Sequence, residues 1–340
     1  MKFLFSKKIQ IPLLTILIIV FVISLIFFYE LKKFSSTPTS PQKSETQIFT
    51  IEKGQSFSRT AAELKKENLI SNVTKFKIHA KLNKKERKIQ AGEYSLSPSM
   101  TPDQILTMFV QGKVNLIKLT IPEGFTSHQI ASELENKKIC KSDIFTKKTM
   151  DKSLLNKYSI TGSTFEGYLY PETYFFKKDS EPEKIIQTMV FNFKKNYTKD
   201  LKKRASNIGF TDHEAVTLAS IIEKETGKKS EREIISSVFH NRLEKGMRLE
   251  TDPTVIYGIK NFDGNLTKKD LKNKTPYNTY MIKGLPPGPI ANPGIKSIKA
   301  ALYPADTDYL FFVSKKDGSH YFSTSYKEHL KAVNKYQLGR

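Results

Sequence analysis

The 340-residue sequence contains one cysteine, Cys140, and no tryptophan. A single cysteine excludes an internal disulfide framework, and its distance from the N-terminus excludes a lipid anchor, so we interpret it as a packed thiol. The sequence also lacks G-x-S-x-G, H-E-x-x-H, a phosphate-binding glycine loop and any Cys/His cluster, and its six histidines are dispersed. We therefore expect no metal, no cofactor and no triad-type hydrolase.

Arginine is scarce as well, since it supplies only 7 of the 56 basic residues of a chain whose formal net charge is +22. The lysines occur as scattered pairs and do not form one tract. Readout of bases relies on arginine, and tracking of phosphates needs clustered charge. We therefore predict no nucleic-acid partner and attribute the charge to a lysine-rich surface that suits anionic lipids or cell-wall polymers.

One long hydrophobic run is present. Residues 11–29 (IPLLTILIIVFVISLIFFY) carry no charge, and their length nearly matches a hydrocarbon core of roughly 30 Å. A cleaved secretory signal is the alternative, but bulky LIFFYEL stands where a small-residue cleavage site would be. We predict a cytoplasmic tip at 1–10, a transmembrane helix at 11–29 and an extracytoplasmic body, because the lysine bias slightly favours an N-terminus inside.

The body divides by composition and by an internal repeat. Residues 30–46 include a Ser-, Thr- and Pro-rich stretch typical of a linker. Residues 51–70 then match residues 121–140, and each copy predicts a strand, a glycine turn, a hydroxyl helix cap and an amphipathic helix. The first copy resembles the LysM unit of cell-wall proteins, although a recurrent strand-turn-helix without a ligand is the alternative. We predict a LysM-like β-α subdomain at 47–155 and an α+β catalytic domain at 156–340.

A helix beginning at Thr211 carries the candidate catalytic group. Thr211 and Glu214 have capping-box spacing. On the helical wheel Glu223 falls inside an apolar stripe that includes Ala219 and Ile222, whereas Glu225 lies at the edge of the stripe. Burial disfavours an ionised carboxyl group, so an inward glutamate is either ion-paired as a structural element or available as a general acid.

A second helix adds an inward cation. The spacing of Ser230 and Glu233 predicts another capping box, which opens a helix that ends at Gly246. Arg242 shares a face of this helix with apolar residues. Arg242 is therefore a candidate ion-pair partner of Glu223 or a substrate-binding group, and the sequence leaves both open.

The C-terminal region adds a loop and a hairpin. Residues 275–305 interleave six prolines and three glycines with Tyr, Asn and Thr. Such a rigid loop suits sugars, because it offers flat apolar faces and fixed hydrogen-bonding groups, but a long surface loop without a ligand would look similar. Residues 308–333 predict strand, turn, strand and helix, which would close an α+β domain.

Five stretches resemble the endolytic murein transglycosylase (YceG-like) family. They are EGYLYPETY, ASIIEKET, SVFHNRLEKGMRLETDPTVIYG, YNTYMIKGLPPGPIANPG and FFVSKKDGSHYFSTSYKEH, and they extend from about residue 165 to 330. The resemblance implies Glu223 as the catalytic carboxyl group. Further positions in these stretches are candidates for assisting or for binding substrate: Glu225, Asn241, Arg242, Glu250, Thr251, Asp252, Tyr257, Tyr277 and Asn278. Glu250 departs from the glutamine expected in many relatives, which would affect the pH optimum.

The resemblance also implies the reaction. Family members cleave the β-1,4 bond between N-acetylmuramic acid and N-acetylglucosamine within peptidoglycan glycan strands and leave 1,6-anhydro ends. The implied partners are glycan strands and peptidoglycan synthases (penicillin-binding proteins), and the implied location is the cytoplasmic membrane. A muramidase-type hydrolase becomes credible if Glu250 or Asp252 serves as a second carboxylate near Glu223. A non-catalytic scaffold that binds the cell wall is the third reading.

Overall fold

The computed structural model describes residues 7–225, 227–260 and 262–339. Residues 1–6 of the predicted cytoplasmic tip lie outside this range. Contacts divide the chain into two compact units, Met1–Leu116 and Ile117–Arg340. Both combine helices with two-stranded antiparallel sheets, in agreement with the predicted α+β class.

The first unit begins with one long helix. Its elements are α1 (Lys7–Ser36), β1 (Gln47–Ile51), α2 (Phe57–Lys66), α3 (Val73–Leu82), β2 (Gly92–Leu96) and α4 (Pro102–Gln111). Strands β1 and β2 pair antiparallel, with Gln47 opposite Leu96 and Ile51 opposite Gly92. Phe49 and Ile51 of β1 point to one side of the strand and, with the apolar faces of the helices, build a core that includes Phe76 and Phe109.

Helix α1 has two different parts. Residues Thr15–Ser36 include a stretch long and apolar enough to cross a membrane, and most of its large side chains are exposed. Near the end of the helix, Leu31 and Phe34 are buried, and α1 contacts α3 and α4. The Lys75 ammonium group also lies 3.0 Å from Glu30.

The segment 30–46, which the sequence predicts as a linker, is partly helical in the structure. The helix continues to Ser36, because Leu31 and Phe34 share one face and pack on the first unit. Farther along, Ser40 N–H donates to the Pro98 carbonyl (2.9 Å).

The second unit is built around one buried helix. It contains β3 (Ile117–Thr120), α5 (Ser127–Asn136), α6 (Ser142–Thr149), α7 (Lys152–Lys157), β4 (Thr173–Phe176), α8 (Pro182–Asn196), α9 (Lys199–Asn207), α10 (Asp212–Glu225), α11 (Arg232–Glu244), α12 (Asp252–Tyr257), α13 (Ile295–Leu302), β5 (Phe311–Ser314), β6 (His320–Ser323) and α14 (Tyr326–Val333). Every residue from Ala215 to Ile222 on α10 is buried, and α10 packs chiefly on α13. The predicted C-terminal hairpin and helix are confirmed as β5, β6 and α14.

The internal repeat is confirmed as a repeat of structure. Gly54 (φ +84°) and Gly124 (φ +78°) both turn the chain in the left-handed region, which glycine adopts without strain. Ser56 then accepts from Arg59 N–H, and Thr126 accepts from Gln129 N–H. Each copy therefore forms a strand, a glycine turn and a capped helix. Before the antiparallel partner strand there is one further helix in the first unit (α3) and two in the second (α6 and α7).

The two copies belong to different compact units. Residues 117–155, which the sequence assigns to the N-terminal subdomain, share the core of the second unit through Leu119, Leu134 and Phe145. The sequence predicts a boundary at 155/156 between a wall-binding subdomain and a catalytic domain. This functional boundary stays a prediction.

Candidate active site

Helix α10 delivers Glu223 to the edge of the second unit's core. The predicted capping box forms at its start, since Glu214 N–H donates to Thr211 Oγ1 (3.2 Å) and Thr211 N–H donates to the Glu214 carboxylate (2.9 Å). Three turns later, the Glu223 side chain is only 6% exposed. Because both oxygens of a carboxylate that is this buried need partners, the identity of those partners defines the site.

Arg232 and Gly294 are the partners of Glu223. Arg232 Nη2 donates to Oε1 (3.0 Å), and Gly294 N–H donates to Oε2 (2.9 Å). Of the two roles that the sequence left open for Arg242, the pairing with Glu223 is not the one found, because Arg242 contacts Glu250 and backbone carbonyls instead. A short 3-10 turn at Lys229–Glu231 precedes α11, so the guanidinium that meets Glu223 comes from the first residue of that helix.

The second predicted capping box is also wrong. Helix α11 begins after Glu231, and no side chain caps its first turn. Glu231 instead lies 2.7 Å from His320 Nδ1 on β6, and its pKa is lowered by hydrogen bonds from His320 against the opposing effect of burial. The sequence placed the helix start correctly within two residues but assigned the wrong side chain to it.

Arg242 forms hydrogen bonds to two loop segments. Its Nε donates to the Leu310 carbonyl (2.7 Å), and its Nη1 donates to the Leu249 carbonyl (2.8 Å). Nη1 also lies 3.3 Å from the half-exposed Glu250 carboxylate. Arg242 thereby joins the segment before α12 to the segment before β5.

Glu225 faces a separate polar cluster. Thr251 Oγ1 donates to Glu225 Oε1, and Thr251 N–H donates to Thr279 Oγ1 (3.0 Å). Burial raises the pKa of Glu225 to about 7, while the Thr251 hydrogen bond opposes the rise. Asp252 accepts from the Tyr280 hydroxyl (2.8 Å). Within the described ranges, Glu250 contacts Arg242 and Asp252 contacts Tyr280, and a role of either as a second carboxylate stays a prediction.

Glu166 is a buried carboxyl group that the sequence did not single out. Ser127 N–H lies 3.0 Å from each of its oxygens, Asn292 Nδ2 donates to Oε1 (2.8 Å), and the Tyr257 hydroxyl donates to Oε2 (3.2 Å). Burial raises the pKa of Glu166 to about 7, against the lowering effect of these donors. Glu166 therefore connects α5, α12 and the loop that contains Asn292.

Asn292 carries this connection to the catalytic candidate. Its Oδ1 accepts from Leu169 N–H (2.8 Å), and its backbone N–H donates to the Phe125 carbonyl (2.9 Å). The Gly124 N–H donates in turn to the Asn292 carbonyl (2.9 Å). Two residues later, Gly294 donates to Glu223, so the Glu166–Asn292 contact helps to fix the donor of Glu223.

The remaining candidates support loops around the site. The Tyr257 and Tyr277 rings lie 4.8 Å apart. Asn278 is fully buried and donates to three carbonyls, of Asp270, Leu271 and Asn273. Asn241 donates to the carbonyls of Thr307 (2.7 Å) and Tyr309 (2.9 Å). Asn241 and Asn278 thus hold backbone segments in place, and the roles predicted for these residues in assisting or binding substrate stay predictions.

Replacing Tyr257 with phenylalanine tests the Glu166 connection. The change removes one hydrogen bond to a buried carboxyl group and leaves the ring contact with Tyr277 in place. We expect the free energy of unfolding to fall by about 1.5–3 kcal/mol, as for loss of a hydrogen bond to a charged group. Chemical denaturation at pH 8 measures the change, and an unaltered midpoint would contradict the importance of this contact.

No group of three His, Cys, Asp or Glu side chains within the described ranges is arranged to hold a metal ion. The site thus consists of a buried glutamate, its guanidinium partner and a backbone donor.

The chain matches known proteins over most of its length. The model of the YceG-like family matches residues 49–335. The chain belongs to the YceG-like family. Its relatives include the endolytic murein transglycosylase of Bacillus subtilis (strain 168), which is 36% identical over 319 residues, or 88% of this chain and 87% of that protein.

Two further YceG-like relatives differ in length. The endolytic murein transglycosylase of Streptococcus pneumoniae serotype 2 (strain D39) is 28% identical over 89% of this chain, which spans only 60% of that protein. A crystal structure of a YceG-like protein from Listeria monocytogenes is 38% identical, with a TM-score of 0.59, and the match covers 84% of this chain and 98% of that one. The family model and the structural comparison therefore both match the chain to YceG-like proteins.

Proposed function

We propose that this YceG-like chain is a peptidoglycan lytic transglycosylase that cuts glycan strands internally, with Glu223 as its acid and base. The buried Glu223, held between Arg232 and the Gly294 N–H, carries the proposal. Relatives named endolytic murein transglycosylase support it over most of the chain's length. Terminating nascent glycan strands is the biological role that such a cut would serve.

The reaction needs one carboxyl group used twice. Protonated Glu223 donates to the glycosidic oxygen between N-acetylmuramic acid and N-acetylglucosamine as that bond breaks. The muramic 6-hydroxyl oxygen then bonds to the anomeric carbon, and its proton passes to the Glu223 carboxylate. A 1,6-anhydro end forms and no water is consumed, so no second catalytic carboxylate is required.

The first unit supports a role in wall binding. Its order of strand, helix, helix and strand, with the two strands antiparallel, suits the LysM-like module that the sequence suggested. We propose that this unit holds glycan while the second unit cuts it. Binding of the isolated second unit to purified glycan should be weaker than that of the full chain.

The long apolar helix supports a membrane anchor. Thr15–Ser36 includes a stretch that could span a membrane, and the lysine bias around it favours an extracytoplasmic body. In this position the enzyme would meet nascent glycan beside the synthases, penicillin-binding proteins, that we propose as partners.

Product chemistry tests the function. Purified peptidoglycan is digested with the full chain, and the fragments are identified by mass spectrometry. We expect 1,6-anhydro-muramic ends. Because water is not added, they are lighter than reducing ends by the mass of one water, about 18 Da. Reducing ends alone would indicate a muramidase-type hydrolase. No cleavage by a folded preparation would favour the non-catalytic scaffold. The names of the relatives favour neither alternative.

A further inference from the structure

A second carboxylate lies against the Glu223–Arg232 pair. Glu123 Oε2 is 3.7 Å from Arg232 Nη2, the same nitrogen that lies 3.0 Å from Glu223 Oε1. The Glu123 side chain is 43% exposed, whereas those of Arg232 and Glu223 are almost fully buried. One guanidinium group is therefore shared by a buried carboxylate and an accessible one.

The neighbouring glycine makes room for Glu123. Gly294 has a φ of −75°, which any residue adopts, so its backbone conformation does not explain the absence of a side chain. A Cβ atom at this position would overlap the Glu123 carboxylate. Gly294 thus admits Glu123 to the site while its own N–H donates to Glu223.

The internal repeat shows that the turn itself does not need a carboxylate. At the offset of 70 residues, Lys53 of the first copy occupies the position of Glu123. Both turns place the next glycine in the left-handed region, at φ +84° for Gly54 and +78° for Gly124. Because the turn forms with either charge, the local fold does not account for Glu123, and its contact with Arg232 does.

We propose that Glu123 is a positioning residue for the transglycosylase reaction, sharing Arg232 with Glu223 and retaining the guanidinium when Glu223 carries the proton it donates. The inference rests on the proposed function. A cation paired with Glu223 alone would favour its carboxylate form and oppose proton donation. With Glu123 present, Arg232 keeps a partner in both protonation states of Glu223.

Among the described residues, charged groups near the Glu223–Arg232 pair come from three elements. Arg232 approaches from α11 and Glu123 from the turn before α5. Lys224, on α10 itself, reaches the Gly124 carbonyl with its ammonium group (3.5 Å). Removing the negative charge of Glu123 therefore leaves Arg232 with Glu223 as its carboxylate partner, and this determines the sign of the test.

The test is the pH profile of glycan cleavage by Glu123→Gln in the full chain. We expect the alkaline limb of the rate to move about 1 pH unit toward acid, because an uncompensated cation makes Glu223 give up its proton more readily. The rate at pH 8 should fall about 10-fold and recover at pH 5. A purely structural effect would lower the rate at every pH and leave the limb in place, which would overturn the proposal.

A second variant tests the same contact without removing the carboxylate. Gly294→Ala forces the flexible Glu123 side chain away, so it should move the limb in the same direction, and adding Glu123→Gln should move it no further. Gly294→Ala also decides the matter if Glu123→Gln does not fold. The exposed Glu135 on α5 supplies the charge-matched control, Glu135→Gln, which should leave the limb unchanged.

The two proposals can fail separately. The alkaline limb is taken from the rate of total bond cleavage, whatever the product. A wild-type product without anhydro ends would therefore reject the transglycosylase and leave the shift of the limb measurable. Anhydro ends with an unmoved limb in both variants would reject the role of Glu123 alone.

Discussion

Glu223→Gln is expected to lower the rate of glycan cleavage by about 10³-fold, the scale of a lost general acid and base. The amide keeps the size of the side chain, and its oxygen can still accept from Arg232 or Gly294. It cannot donate a proton to the leaving oxygen or take one from the muramic 6-hydroxyl. The release of anhydro-muramic ends over time, measured by mass spectrometry, gives the rate.

Glu225→Gln is the comparison that makes this result specific. Glu225 lies two residues from Glu223 on the same helix, but its carboxyl group meets Thr251. A glutamine there can still accept that hydrogen bond, so the loss of activity should stay below about 10-fold. Equal losses in both variants, with both proteins folded by circular dichroism, would mean that the wrong glutamate has been assigned.

The sequence predicted those features whose determinants are local. The Thr211–Glu214 capping box and the two glycine turns depend on residues a few positions apart, and the structure has them where the spacing indicated. The C-terminal hairpin follows from alternating apolar residues around a Lys-Asp-Gly turn. Local hydrogen bonding and periodicity suffice for such elements.

Contacts between distant segments could not be predicted in this way. Choosing Arg232 over Arg242 as the partner of Glu223 depends on where the 3-10 turn ends and how α11 meets α10, which neither helix pattern contains. Eight consecutive residues of α10 are buried, so the helical pattern of apolar residues does not by itself distinguish Glu223. Family resemblance supplied that choice.

Glu166 and Glu123 were missed for the same reason. Each lies in a turn far along the chain from Glu223, and nothing in its neighbouring residues indicates burial or a charged partner. The only local signal was the pair of carboxylates among aromatics in TFEGYLYPETYFF, which includes Glu166. For Glu123 the signal lies in the repeat, where Lys53 of the first copy corresponds to a carboxylate in the second.

Glu166→Gln should remove part of the pH dependence of stability. Burial raises the pKa of Glu166 from 4.5 to about 7 in the folded protein, so between these values the folded state binds more protons than the unfolded state. The free energy of unfolding therefore falls as the pH rises from about 5 to 8, by about 3 kcal/mol for one such group. Glutamine does not titrate, so the variant should lose that part of the fall.

Urea denaturation of the second unit's transition at pH 5 and pH 8 measures the effect. A mismatched amide will shift the stability of Glu166→Gln at both pH values equally, so the difference between them is the readout. Glu225→Gln should reduce the difference by a similar amount, because burial raises the pKa of Glu225 to about 7 as well. The exposed Glu135→Gln should leave it intact. A Glu166→Gln protein that loses as much stability as the wild type between pH 5 and 8 would show that this carboxyl group is already ionised at pH 5, in which case its four donor contacts outweigh its burial.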